Sequence, residues 1–175
     1  MRNFVKAVEK AIESKNYYGA LFIALTLPDI CGKIEFPNMS SSEKRYIKWF
    51  DTYMSDKYTP QGAVFLSGND CYALRCSLLH EGKDDITGQL ARKILEQFAF
   101  MTDGPHCNYS GNNYINGKRV KTFLQLRVDR FCSDICVSVK QWLKDVSNNK
   151  VIMDELKKTI KIHEPGFVKG GIKFG

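Results

Sequence analysis

The sequence predicts a mainly α-helical domain with one small β-hairpin inserted before its last long helix. Apolar residues recur at helical spacing over most of the chain. Serines stand immediately before two of those periodic runs, where a hydroxyl caps a helix. Only "ILEQFAFM" (94–101) and "VKTFLQLRV" (120–128) alternate in the manner of strands.

Taken in order, "NFVKAVEKAIESKN" sets Phe4, Val5, Val8, Ala11 and Ile12 on one helical face, and Asn16 breaks the run. "YYGALFIALTLPDICGKI" is apolar almost all round, which predicts a central buried helix. Pro28 is expected to kink or restart it, and Gly32 to stop it. Ser41 or Ser42 caps a third helix carrying Tyr46, Trp49, Phe50 and Tyr53. "TPQG" (59–62) marks a turn before a fourth helix, which Ser67 and Asp70 open as a capping box and Gly82 closes. Residues 83–92 read as a loop or short helix.

The two strands flank the Gly- and Asn-rich segment "TDGPHCNYSGNNYINGK", read as the excursion linking a hairpin. "DRFCSDICVSVKQWLKDV" (129–146) returns to a helical period through Phe131, Ile135, Val139, Trp142 and Leu143, and "VIMDELKKTIKI" adds a short helix. "PDIC" (28–31) and "SDIC" (133–136) echo one another without making a repeat. The expected organisation is one helical domain over 1–163, with the hairpin near 94–128, and a glycine-rich flexible tail over 164–175.

Composition narrows the function classes. With 175 residues, 43% hydrophobic, the chain is long enough to bury a core without staples. The charged and apolar residues of its first stretch fit neither a signal nor a transit peptide. The longest apolar run, "GALFIALTLP", is too short to span a bilayer, so no membrane partner is expected. Six cysteines, mostly in helical runs, read as reduced, buried thiols of a cytoplasmic protein. No CxxC pair is present, and neither a metal nor any other cofactor is expected; a zinc site on Cys132 and Cys136, with His106 and Cys107, is the lesser alternative.

The charge is uneven. Residues 1–112 carry 13 Lys/Arg and 13 Asp/Glu, whereas residues 113–175 carry 13 against 6, which is the whole excess of +7. A basic third on a neutral body suits a polyanion such as RNA, or is simply a well-solvated surface.

The residues that invite chemistry lie in "LSGNDCYALRCSLLHEGKD" (66–84), where Arg75 and His80 stand five apart among leucines and cysteines. Five helical residues advance roughly 500° and about 7.5 Å, so the two side chains flank a surface some 140° wide. They flank that surface rather than touch, and the reach of the arginine closes part of the gap toward the histidine. Arginine offers a permanent, forked cation for phosphate oxygens, and histidine exchanges a proton near neutral pH. Together, and doubled about a two-fold axis, they suit metal-independent cleavage of RNA. His80 then serves as general base or acid, and Arg75 holds the phosphoryl oxygens. By spacing alone the pattern is weak, and a dipole-favoured histidine beside an ion-paired arginine is the bland reading.

"YALRCSLLHEG" resembles the Arg-x4–6-His signature of the HEPN superfamily, helical domains found in many metal-independent RNases. Through "NYYGALFIALTLPDICGKIE", "RYIKWFDTYM", "LSGNDCYALRCSLLHEG" and "LQLRVDRFCSDICVSVKQWL", the chain is also similar to a group of small bacterial proteins over most of residues 1–146. The resemblance implies a HEPN-like helical bundle, a homodimer formed through the motif helix, and Arg75 and His80 as catalytic residues. Active superfamily RNases often carry Asn, Asp or His directly after the arginine, where this chain has Cys76. Non-catalytic superfamily members serve as nucleotide-binding or partner-binding modules, which is the alternative function here.

Asn69 and Asp70, about one turn before the motif, and Ser77 within it are candidate substrate contacts. Lys118 and Arg119, in a loop with Tyr109 and Tyr114, are candidate phosphate contacts beside stacking rings. Capping is the competing role for Asn69 and Asp70, and a plain exposed connection for the loop. No Walker, GxGxxG, HExxH or GxSxG motif occurs.

Overall fold

The structure is a computed structural model and describes residues 1–111 and 114–175. Six helices form most of it: α1 (Arg2–Glu13), α2 (Tyr17–Glu35), α3 (Ser42–Tyr53), α4 (Gly68–Glu81), α5 (Val128–Asp145) and α6 (Lys150–Lys157). The mainly α class expected from the sequence is what the chain adopts.

α2 is the centre. Its nearly all-round apolar surface is covered by α1, α3 and α5, with α4 and α6 adding smaller contacts. Ala20, Ala24, Leu25, Leu27 and Cys31 are fully buried as a result. Asn16 does more than end α1, since its side chain accepts from the Gly19 amide and caps α2.

The expected stop of α2 at Gly32 is corrected, and so is a restart at Pro28. Pro28 lies inside the helix without ending it, and Gly32 is followed by a further turn to Glu35. A proline costs a helix interior about 3 kcal/mol, and burial on several sides offsets that. Gly32 is instead a point of close approach: a Cβ there would lie 2.8 Å from the Arg45 carbonyl oxygen of α3.

The caps of α3 and α4 follow the sequence. Ser41 Oγ accepts from the Lys44 amide, and Ser67 Oγ from the Asp70 amide. Gly82, at φ +67°, closes α4 in the left-handed region that glycine enters freely. Between the helices sits the aromatic core of Tyr46, Trp49, Phe50, Tyr58, Phe98, Phe131 and Trp142.

The strands exist where the alternation placed them, as β1 (Gln97–Met101) and β5 (Phe123–Arg127), but they do not make a hairpin. They pair in parallel, Gln97 opposite Phe123 and Met101 opposite Arg127. β2 (Asn108–Ser110) lies antiparallel along the other edge of β5, giving the order β1-β5-β2. Parallel neighbours require a crossover of a dozen or more residues, and the long polar excursion supplies it. Residues 112 and 113 of that excursion lie outside the described residues. β3 (Tyr114–Ile115) and β4 (Lys118–Arg119) form a small ribbon within it.

The expected tail also carries structure, since β6 (Phe167–Lys169) and β7 (Ile172–Phe174) pair antiparallel. α6 ends at Lys157, short of the predicted run. Among the described residues, no helix is long and apolar enough to cross a membrane.

Candidate functional site

α4 presents two faces with different tasks. Cys71, Ala73, Leu74 and Ser77 are buried, while Tyr72, Arg75, Cys76, Leu79 and His80 line the partly or fully exposed face. The 140° that separates residues 75 and 80 on an ideal helix is closed by the arginine: its Nη1 lies 3.2 Å from His80 Nε2. A guanidinium only donates, so in this contact Nε2 is the acceptor. His80 itself is exposed.

The other edge of the guanidinium is fixed by a residue that the motif does not contain. Arg75 Nε donates to Asp29 Oδ2 on α2 at 2.6 Å. Asp29 and Arg75 side chains keep only 19% and 22% of their exposure, so the pair is largely withdrawn from water. Burial raises the Asp29 carboxyl above its ordinary value, against the pull of Arg75. Burial disfavours the charge of Arg75, yet Asp29 outweighs it and the guanidinium is raised. The direct contact makes carboxylate and guanidinium the charged partners despite the burial. Carboxylate, guanidinium and imidazole thus form one chain, Asp29–Arg75–His80, running from α2 across the exposed face of α4.

Sequence reading passed over Asp29. The signal was available, because a lone carboxylate in the apolar run "ALTLPDIC" must find a cation or a donor when its helix is buried. Its echo behaves alike. In "SDIC", Asp134 accepts from the Tyr58 hydroxyl at 2.9 Å and lies 3.5 Å from His106 Nε2. His106 accepts the Arg127 amide through Nδ1, burial lowers its pKa, and the cluster ties the excursion to α5.

The other candidates separate from the pair. Asp70 is 2% exposed; one carboxylate oxygen accepts the Lys93 and Ile94 amides and the other the Ser67 hydroxyl. It anchors the 83–96 loop. Ser77 is fully buried and donates to the Asp85 carbonyl. Both candidate substrate contacts are buried and engaged within the fold, because their spacing along α4 turns them to its inner face.

Asn69 borders a shallow cleft with Lys44, Lys48 and Asp51 of α3. It is separated from Arg75 by about 9 Å along the helix and a third of a turn in azimuth. Arg119 forks onto Glu96 at 2.9 and 3.1 Å, and Lys118 is exposed beside it. Among the described residues no hydrogen bond or ion pair joins either to Arg75 or His80.

Cys31, Cys71, Cys132 and Cys136 are buried in the core, and Cys76 and Cys107 are partly exposed. Burial pushes Cys71 and Cys136 up to about 12, and among the described residues no three His, Cys, Asp or Glu side chains converge as a metal site. Compared with protein-family models, curated proteins and solved structures, the chain matches none of them.

Proposed function

We propose that the chain is a metal-independent endoribonuclease of the HEPN-like kind, with His80 as general base or acid and Arg75 as the phosphate contact. The observation that carries this reading is the 3.2 Å approach of Arg75 Nη1 to His80 Nε2 on an exposed helix face. The two groups that phosphodiester cleavage needs, a fixed cation and a proton acceptor, stand within one hydrogen bond of each other.

The geometry suggests how substrate switches the base on. A phosphate oxygen that draws Nη1 away from Nε2 frees the imidazole lone pair. Nε2 then takes the proton of a ribose 2′-hydroxyl, whose oxygen bonds to phosphorus as the P–O5′ bond breaks. The leaving oxygen receives its proton from the histidine of a second copy of the chain, or from His80 Nδ1–H. Arg75, held by Asp29, balances the charge that grows on the phosphoryl oxygens. Products carry a 2′,3′-cyclic phosphate and a 5′-hydroxyl. A homodimer that pairs the α4 faces brings two such chains of groups to one phosphodiester.

A second reading rests on the Asp29 contact. The carboxylate already answers half of the Arg75 charge, and Cys76 stands where a polar orienting group is frequent. The same fold then serves as a non-catalytic module that binds nucleic acid or a protein partner. Incubation of single-stranded RNA with the protein in EDTA decides between them. Cleavage to cyclic-phosphate ends, lost in His80→Ala, supports the nuclease; intact RNA bound by both wild type and His80→Ala supports the module.

A further inference from the structure

A second surface, distinct from the Arg75–His80 face, is built between α1 and α5. A groove of about 590 Å³ runs there, with Val5 and Leu143 in its floor. Arg2 and Lys6 stand one turn apart on the α1 wall, and Lys140 and Lys144 one turn apart on the α5 wall. Glu9, the single acid of the lining, is occupied by Lys140 at 2.6 Å. Among the described residues Arg2, Lys6 and Lys144 have no ion-pair partner.

Helix energetics does not explain this placement. The first turn of α1 holds Arg2 and no acid, although the helix dipole there favours anions and opposes cations. A cation kept where local stability argues against it, facing a second cationic row, points to an anion outside the chain.

We propose that this groove docks an acidic amphipathic helix of a partner protein. Charge complementarity selects an anionic occupant, and the apolar strip between the cation rows selects one with an apolar edge. The walls run from Arg2 to Glu9 and from Lys140 to Ser147, eight residues each, which gives a groove about 10 Å long, or two helical turns. Carboxylates one turn apart on the occupant meet Arg2 and Lys6 on one side and Lys144 on the other, while its leucines cover half-buried Leu143 and the aliphatic stems of the cations. RNA is the poorer fit. Single-stranded nucleic acid is held by stacking platforms as well as cations, and no aromatic ring lines this groove.

The test uses the full chain and three fluorescent probes: a helical peptide with leucines at i and i+4 flanked by glutamates, its lysine-for-glutamate counterpart, and oligouridine. The acidic peptide is expected to bind saturably, more weakly at high salt. Lys6→Glu/Lys144→Glu should weaken it roughly tenfold or more, while Lys57→Glu/Lys161→Glu, equal in net charge and outside the groove's lining, leaves it near wild type. Circular dichroism confirms that both variants fold. The proposal is overturned if the acidic peptide fails to saturate or if both double variants weaken it equally. Oligouridine binding that is lost in Lys6→Glu/Lys144→Glu overturns it in favour of a nucleic-acid groove. RNA cleavage by these variants reports separately on the Arg75–His80 face, which they leave unaltered.

Discussion

At the scale of single residues, the central fact is that Arg75 serves two masters. Its Nε is bound to Asp29 and its Nη1 meets His80, so the carboxylate sets where the guanidinium points. Because both ionic side chains are mostly out of water, truncating one leaves the other charge uncompensated, whereas replacing both by apolar groups does not. Asp29→Leu and Arg75→Leu should each cost about 1–3 kcal/mol, and the double variant should recover much of that loss. Urea unfolding of the four proteins measures it; additive losses would show that the pair is not coupled. Under the proposed nuclease function, Asp29→Asn, which keeps the size of the side chain and removes its charge, should lower RNA cleavage roughly tenfold with binding less affected. An unchanged cleavage rate would leave Asp29 without a positioning role.

At the scale of elements, the packing of α2 on α3 depends on an absent side chain. Gly32 is buried in a helix, where alanine is intrinsically better by roughly 1 kcal/mol. Yet an added Cβ would meet the Arg45 carbonyl oxygen at 2.8 Å and its carbon at 3.1 Å, and backbone cannot swing away as a side-chain tip can. Gly32→Ala should therefore destabilise the protein by about 1–3 kcal/mol, read as a lower urea midpoint. A stabilised variant would mean that the two helices separate at little cost. The same lesson holds for α4: its inner residues support the fold, and its outer ones carry the candidate chemistry.

At the scale of the whole molecule, much of the chain between α4 and α5 is held by carboxylates. Glu96 accepts from Arg119 and from the Thr122 amide, and Asp85 pairs with Lys121 and Thr87. Arg119, followed by the Thr122 amide, holds Glu96 below its ordinary value of 4.5, and Lys121 holds Asp85 well below its own. Carboxyls depressed on folding bind protons more readily when unfolded, so they stabilise the fold above their unfolded values. That contribution is lost as pH falls from about 5 through the depressed values. Stability should decline over this window, and Glu96→Gln, which keeps an acceptor for Thr122, should show a shallower decline. Equal slopes for the two proteins in urea unfolding against pH would remove Glu96 from the account.

Sequence alone determined the elements whose causes are local. The periods of α1, α3 and α5, the caps at Ser41 and Ser67, the stop at Gly82 and the alternation of β1 and β5 all arise from neighbours within a few residues. The nearness of Arg75 to His80 was legible for the same reason, since both lie on one helix, although the spacing has them flank a surface and the structure brings them into contact. Tertiary structure decided everything that joins distant segments. It paired β1 with β5 in parallel, carried α2 through Pro28, turned Asp70 and Ser77 inward, and brought Asp29 to Arg75 across 46 positions of chain. Local spacing fixes which way a side chain leaves its own helix, but only the packing of helices fixes what it then meets.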